Sequence, residues 1–205
     1  MNITIVGSGN VGRALGEAWK RAGHHITYAA RDPASTKAVE LKTAGFAVVA
    51  LNAAQNADVI VLAIPWDGVE ATIAALGPLP GKVLVDATNP LTPGLKLALG
   101  FSDSAGETVA RLSPRARVVK AFNTTGAGNM ANSLYPGAKI MMPVASGDAE
   151  GKKIVMSLAS DLGFEPVDAG PLAMSRHLEP LAMLWIKLAY AQGLGMNFGF
   201  SILRR

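Results

Sequence analysis

The apolar residues of this 205-residue chain fall into short runs that are separated by longer amphipathic segments. Residues 57–64 are apolar except for Asp58, a pattern typical of a strand that is buried on both faces of a parallel sheet. Other apolar runs bounded by turn residues predict further strands. Together with the first run, they cover residues 3–6, 25–30, 46–50, 57–64, 82–87, 117–122, 139–145 and 164–167.

Amphipathic segments between these runs predict helices, and several of them end at a glycine such as Gly45 or Gly163. We expect helices over about 11–22, 35–44, 67–76, 107–112, 149–162 and 176–192, a short helical connection over 51–56, and an irregular stretch from about 91 to 106. The alternation of strands and helices predicts an α/β fold with a doubly wound, mostly parallel sheet. We assign residues 1–170 to this domain and residues 171–205 to a small C-terminal helical segment.

The predicted C-terminal helix, 176–192, is apolar around almost its whole circumference. A helix of this kind has to be buried on most sides. In so small a chain, we expect it to form a contact between subunits or a lid over a cofactor.

The first predicted strand leads directly into the glycine motif Gly7-x-Gly9-x-x-Gly12, and a helix and a second strand follow it. This context is typical of a dinucleotide-binding βαβ unit. There the first glycine makes the tight turn, the second admits the pyrophosphate, and the third lets the helix pack closely. The alternative is a purely structural glycine-rich turn. The context favours the first interpretation, in which the pyrophosphate lies on the amides at the helix N-terminus.

Arg31 stands at the end of the second strand, where sites for NAD usually carry an acidic residue that binds the ribose 2′-hydroxyl. A guanidinium cannot accept a hydrogen bond from that hydroxyl, but it can hold a 2′-phosphate. Asp32 would give an acidic site if the register slipped by one residue, whereas Lys37 adds positive charge nearby. We therefore predict NADP(H); the alternative is that Arg31 is a solvated loop residue.

Ligands of open α/β sheets lie at the carboxyl ends of the strands. Three of the predicted strands carry candidate residues at or just after their ends. These are Ile64 and Pro65, then Asn89, and then Phe122 and Asn123. The asparagine amides suit a ribose or the carboxamide of nicotinamide, although each could be a simple turn residue. The predicted cofactor-binding set is Gly7, Ser8, Gly9, Asn10, Val11, Gly12, Arg31, Lys37, Ile64, Pro65, Asn89, Phe122 and Asn123.

Composition narrows the class of protein further. The chain has no cysteine, which excludes disulfides, thiolate metal sites and thiol nucleophiles, and we expect no metal site. Its formal net charge is +4, and the basic residues are scattered, so we expect no nucleic-acid partner. No apolar stretch reaches membrane-spanning length and no signal peptide is evident. We therefore expect a cytoplasmic protein without a membrane partner.

Several longer motifs are more specific than the glycines. They are GSGNVG at 7–12, ARDP at 30–33, DATNP at 86–90, VKAFNT at 119–124, LGFEPVDAGPL at 162–172 and LEPLAMLWIKLAY at 178–190. Over essentially its whole length, the chain resembles the coenzyme F420-dependent NADP oxidoreductase family, whose fold is shared by the cytoplasmic domain of STEAP metalloreductases. The resemblance implies hydride transfer between NADPH and a flavin-type ring, an 8-hydroxy-5-deazaflavin in the named enzymes. It also implies nucleotide contacts at Ser8, Gly9, Asn10, Val11, Arg31 and Ile64, and a homodimer.

The sequence contains no recognisable nucleophilic triad, paired carboxylates or metal-ligand spacing. His24 and His25 lie at the start of the second strand, so we interpret them as structural or solvent-facing. We expect His177 and Glu179 to form a polar cluster at a helix start; the alternative is a role as general acid. Lys187 is interpreted as a snorkelling residue of an apolar helix, and Lys120, inside a strand, is a weaker candidate still. Direct hydride transfer between stacked rings needs positioning more than a proton relay.

The sequence thus favours an NADPH-dependent oxidoreductase with a flavin or deazaflavin acceptor. Two alternatives stay open. One is an NADPH-binding sensor or partner subunit without catalysis, and the other is a small-molecule reductase with a pocket built across a dimer.

Overall fold

The apolar runs form the strands of one eight-stranded sheet in the computed structural model, which describes all residues, 1–205. Six strands are parallel and follow the spatial order β3-β2-β1-β4-β5-β8, and β11 and β12 extend the sheet beyond β8. Strand β11 is antiparallel to β8 and parallel to β12. The large-sheet strands are β1 (Asn2–Val6), β2 (His25–Ala30), β3 (Ala47–Ala50), β4 (Val59–Leu62), β5 (Val83–Asp86), β8 (Arg117–Lys120), β11 (Met141–Ala145) and β12 (Glu165–Gly170). Two short hairpins complete the set: β6 (Leu91–Thr92) with β7 (Lys96–Leu97), and β9 (Leu134–Tyr135) with β10 (Ala138–Lys139).

Helices cover both faces of this sheet. They are α1 (Asn10–Arg21), α2 (Thr36–Thr43), α3 (Val69–Leu76), α4 (Ala105–Leu112), α5 (Ala127–Ala131), α6 (Ala149–Asp161) and α7 (Ser175–Ile186). Short 3₁₀ turns occur at Leu51–Asn56, Trp66–Gly68 and Leu172–Met174, and α7 continues into a π turn at Lys187–Ala191. None of the helices is long and apolar enough to cross a membrane.

The predicted doubly wound, mostly parallel α/β sheet is confirmed, and its apolar core lies in two layers. On one face, α1 and α6 bury residues such as Trp19 and Leu158, and the Trp19 indole donates a hydrogen bond to the Leu158 carbonyl (3.0 Å). On the other face, α3 and α4 bury Ile73 and Val109 against β4 and β5. Burial on both faces explains why the central strands consist almost entirely of apolar residues.

Many element boundaries differ from the sequence expectation by one or two residues, and larger differences occur as well. Helix α4 begins at Ala105 rather than residue 107, because the Ser104 side chain caps it by accepting a hydrogen bond from the Glu107 amide. The stretch predicted to be irregular contains the β6–β7 hairpin. Strand β12 extends to Gly170, three residues beyond the prediction.

Within one chain, the C-terminal helix is buried along one side only. Leu178, Ala182 and Trp185 face the protein, whereas Leu184 on α7 and Tyr190 in the π turn are 49% and 63% exposed. The tail after this helix returns to the sheet without regular structure. Within it, the Phe198 carbonyl accepts a hydrogen bond from the Trp185 indole (3.0 Å), and the Phe200 carbonyl accepts one from the Met141 amide (2.8 Å).

Candidate functional site

The glycine motif forms the turn between β1 and α1, and its three glycines differ in what surrounds them. Gly7 has a φ of +117°, and a Cβ there would lie 2.2 Å from the Ala63 carbonyl oxygen. A Cβ on Gly12 would lie 2.1 Å from the Gly7 carbonyl oxygen. A Cβ on Gly9 would meet nothing within 4 Å. Gly7 and Gly12 are therefore required by the fold, whereas Gly9 faces open space through which a ligand can approach the backbone.

Helix α1 begins at this open turn with its first amide groups free of any side-chain cap. Gly9 stands at the N-cap position, and the first turn contains no acidic residue. The Arg13 side chain stabilises the turn, because its Nε donates a hydrogen bond to the Ser8 carbonyl (3.1 Å). Uncapped amides and the positive end of the helix dipole together favour an anion at this point.

A cavity of about 480 Å³ extends from the glycine turn along the carboxyl ends of β1, β2 and β4. Seven of the predicted cofactor-binding residues line it: Gly7, Ser8, Gly9, Arg31, Lys37, Ile64 and Pro65. The volume lies within the range of small-molecule and cofactor sites. Tyr28, Ser35, Leu51 and Thr72 also line it and were not foreseen, since nothing in their sequence context marks them as site residues.

Positive charge is concentrated at the β2 end of the cavity. The side chains of Arg31 and Lys37 are exposed there, and neither forms a hydrogen bond or ion pair within the chain. Asp32 belongs to the turn instead: its Oδ1 accepts from the Ala34 amide (2.8 Å), and its carbonyl accepts from the Ser35 hydroxyl (2.8 Å). This end of the cavity therefore presents two uncompensated cations beside a carboxylate that is already engaged.

The other predicted residues do not line this cavity. Asn10, Val11 and Gly12 lie in the first turn of α1, directly beyond it. Asn89, Phe122 and Asn123 lie farther along the carboxyl edge, after β5 and β8.

The two asparagines bind each other across the ends of β5 and β8. The Asn89 Nδ2 donates to the Asn123 carbonyl (3.0 Å), and the Asn123 Nδ2 donates both to the Asn89 Oδ1 (3.0 Å) and to the Leu178 carbonyl of α7 (3.2 Å). The Asn123 Oδ1 is buried and has no hydrogen-bond partner. The pair therefore joins the sheet edge to α7 and leaves one amide oxygen unsatisfied.

Phe122 adopts a backbone conformation that is rare for a residue with a side chain. Its φ is +58°, and its side chain is buried against Trp19, with a ring-centroid separation of 5.2 Å. Unusual backbone geometry in non-glycine residues is often found at functional sites, where the surrounding packing holds it in place. Here it turns the chain at the end of β8, directly before Asn123.

A buried ammonium lies beneath this edge. Lys120, at the end of β8, is fully buried and uses all three of its donors. Its Nζ lies 2.9 Å from the Asp86 Oδ2, 2.6 Å from the Thr88 carbonyl oxygen and 3.0 Å from the Glu179 Oε1. The cluster thus connects β5, β8 and α7.

Glu179 interacts with helix α4 as well as with Lys120. Its two carboxylate oxygens accept hydrogen bonds from the Ala105 and Gly106 amides (3.0 and 3.1 Å) at the start of α4. Burial raises the pKa of Glu179, and the Lys120 charge opposes this shift. Glu179 was expected to belong to a polar cluster at the start of its own helix; instead, it caps a different one.

The remaining candidates lie elsewhere. His24 is near the opposite edge of the sheet and pairs with Asp161 (3.0 Å) and the N-terminal amine (3.4 Å), as expected of a structural residue. The side chains of His177 and Lys187 form no hydrogen bond or ion pair within the chain. Close to His177, Arg176 pairs with Glu107 (2.6 Å) and lowers the pKa of that carboxyl.

Fold and site geometry together define a Rossmann-type dinucleotide-binding protein. The family model for "NADP oxidoreductase coenzyme F420-dependent" matches residues 2–90. A crystal structure from Arthrobacter sp. FB24, whose name assigns it provisionally as an F420-dependent NADP-reductase, superposes with a TM-score of 0.86. It is 30% identical and covers 98% of this chain and 99% of that one. The chain belongs to the family of coenzyme F420-dependent NADP oxidoreductases, as the sequence motifs predicted.

Curated relatives come from two groups. The F420-dependent NADP reductase of Methanothermobacter thermautotrophicus is 28% identical over 209 residues, covering 92% of this chain and 89% of that protein. Metalloreductase STEAP3 of Rattus norvegicus is 29% identical over 184 residues, covering 89% of this chain. The chain spans only 37% of the length of STEAP3. A reductive aminase from Aspergillus terreus, solved with NADPH, shares the fold at 24% identity and a TM-score of 0.69.

We expect Lys120→Met to destabilise the protein by about 3–5 kcal/mol, because it leaves two buried carboxylates without their counter-charge. Urea denaturation measures the loss. The matched control is Lys152→Met, which removes a pair with the exposed Asp168 (2.7 Å) and is expected to cost about 1 kcal/mol or less. Equal losses in the two variants would contradict a central role for the Lys120 cluster.

Proposed function

We propose that the protein is an NADPH-dependent oxidoreductase that transfers hydride between NADP(H) and the ring of a flavin or deazaflavin. The observation that carries the proposal is the pair of uncompensated cations, Arg31 and Lys37, in a cavity that begins at the open glycine turn. That arrangement suits a dinucleotide with an additional phosphate on its ribose.

In this proposal, the ends of the cofactor bind to different parts of the sheet edge. The Arg31 guanidinium and the Lys37 ammonium hold the 2′-phosphate. The pyrophosphate binds to the glycine turn and to the first amides of α1. The residues of this segment are Gly7, Ser8, Gly9, Asn10, Val11 and Gly12. Ile64 and Pro65 form the apolar wall of the path.

The nicotinamide end of the cofactor is assigned to the edge formed by Asn89, Phe122 and Asn123. The unsatisfied Asn123 Oδ1 supports this assignment, because a carboxamide N–H is a matching donor. Access to this buried oxygen requires a small movement of the side chains around it. The hydrogen bonds that the Asn123 Nδ2 donates to Asn89 and Leu178 would hold the Asn123 amide in one orientation.

The choice of acceptor rests on the names of relatives and on the groups that surround the site. Two relatives whose similarity covers most of both chains are named F420-dependent NADP reductases, one of them provisionally. The ionisable groups beneath the edge, Lys120 and Glu179, are buried and engaged with each other. Bound NADPH supplies the hydride, so the protein has to align two rings and exclude water rather than deliver a proton from these side chains.

Arg31→Ala should weaken NADPH binding by about 1.5–3 kcal/mol, on the order of 10- to 150-fold, while NADH binding changes little. The physical reason is the loss of a charge-assisted contact to the 2′-phosphate. Fluorescence titration with both nucleotides measures the difference. Arg205→Ala, which removes an exposed cation outside the cavity, is the control for a general charge effect. Equal weakening of NADPH and NADH by Arg31→Ala would refute the role of Arg31.

We expect enzyme-bound NADPH to be oxidised by F420, FMN or riboflavin in stopped-flow experiments that follow absorbance at the NADPH band. Hydride leaves the nicotinamide and enters the acceptor ring, and solvent supplies the accompanying proton. Oxidation only by imines or ketones would indicate a small-molecule reductase instead. Oxidation by no acceptor, with NADPH still bound tightly, would indicate a sensor or partner subunit without catalysis.

We also infer a homodimer formed through the C-terminal segment. Four large apolar side chains are exposed there: Leu184, Tyr190, Leu194 and Met196, at 49–63%. Light scattering should give a mass of twice 21.2 kDa, and Leu184→Lys combined with Tyr190→Lys should shift it to the monomer value. A monomeric wild-type protein at micromolar concentration would rule out this assembly.

A further inference from the structure

A second cavity, of about 380 Å³, lies at the opposite end of the sheet from the glycine turn. Its walls come from α3, from the end of α4 and from the connections that lead into β5 and β8. It shares no lining residue with the cavity at the glycine turn. Whatever binds there therefore occupies a site distinct from that of the dinucleotide, and the inference does not depend on the proposed function.

The backbone around this second cavity is firmly connected. The Gly81 amide donates to the Arg115 carbonyl (2.9 Å), and the Arg117 amide donates to the Lys82 carbonyl (2.8 Å). These bonds tie the connection before β5 to the connection before β8. The cavity is thus preformed, as small-molecule sites usually are, rather than a gap between loosely held loops.

The chemistry of the lining combines an apolar floor with polar groups that lack partners. Ile73 and Leu79 are almost completely buried and form the floor with Leu112. Ser113 also lines the cavity, but its hydroxyl oxygen is buried and therefore out of reach of a bound ligand.

Two opposite charges stand at the same cavity, and neither is neutralised by the protein. Glu70 on α3 and Arg115 before β8 are exposed, and neither forms an ion pair or a side-chain hydrogen bond within the chain. An unpaired carboxylate and an unpaired guanidinium above an apolar floor are complementary to a ligand that carries an ammonium, a carboxylate and an apolar body.

We propose that this cavity is a second ligand site that takes a small zwitterion with an apolar side chain, of the size and chemistry of an apolar amino acid. Arg115 binds the carboxylate, and Glu70 binds the ammonium group. The side chain of the ligand packs on the apolar floor formed by Ile73, Leu79 and Leu112.

The test is a titration of the ¹⁵N-labelled full-length protein, followed by amide chemical shifts. The probes are L-phenylalanine, 3-phenylpropionate, which lacks the ammonium, and phenethylamine, which lacks the carboxylate. L-Phenylalanine should produce saturable shifts at the amides of residues 73–77, 112, 113 and 115 and bind more tightly than either singly charged probe. Arg115→Gln should weaken its binding by about tenfold or more, since a charge-assisted contact is lost.

A matched pair of variants separates this cavity from general surface binding. Ala74 lines the cavity, whereas its neighbour Ala75 is exposed on the same helix and does not. Ala74→Phe should fill the cavity and abolish the shifts, whereas Ala75→Phe should leave them intact. Absence of saturable shifts with L-phenylalanine at millimolar concentration would overturn the proposal. Equal affinity for the three probes, or unchanged binding in Ala74→Phe, would also overturn it.

Discussion

The buried Lys120 ammonium is the interaction on which the arrangement of the candidate site depends. It holds the carboxylates of Asp86 and Glu179 within 3.0 Å, and through them it fixes the ends of two neighbouring strands and helix α7. Burying three charges is costly, and removing any one member leaves the others without compensation. Because Glu179 also accepts from two amides of α4, the C-terminal helix can dock in one position only, directly beside Asn123. The cluster thus determines the geometry of the edge to which we assign the nicotinamide.

The two halves of the carboxyl edge are built by different physical means. Around β1 and β4, close backbone packing at Gly7 and Gly12 creates an open turn with uncapped amides, and exposed cations provide the charge. Around β5 and β8, the edge consists of asparagine amides above an ion cluster, and the ionisable groups are engaged with each other. This division matches the proposed ligand, which has phosphates at one end and a neutral carboxamide at the other.

Most of the fold could be predicted from the sequence, because its determinants are local. The apolar runs gave the strands to within a few residues, and the glycine spacing predicted the β1–α1 turn in detail. The cation pair was also predictable, since Arg31 follows directly from the end of a recognisable strand. Lys120 was expected to be only a weak candidate site residue. A lysine inside an apolar strand nevertheless indicates that a buried partner exists. Its partner Glu179 lies 59 positions away in the sequence (179 − 120), and no local pattern connects the two. Composition likewise did not reveal which face of α7 meets the domain.

We expect the glycine turn and the Arg31 end of the cavity to bind NADP(H) in an extended form along the sheet edge. A crystal structure of the protein with NADP⁺ would show this arrangement. The 2′-phosphate should lie within hydrogen-bond distance of the Arg31 guanidinium, the pyrophosphate on the first amides of α1, and the carboxamide beside Asn123. A complex with the 2′-phosphate directed into solvent, or with the nicotinamide away from the β5–β8 edge, would contradict it.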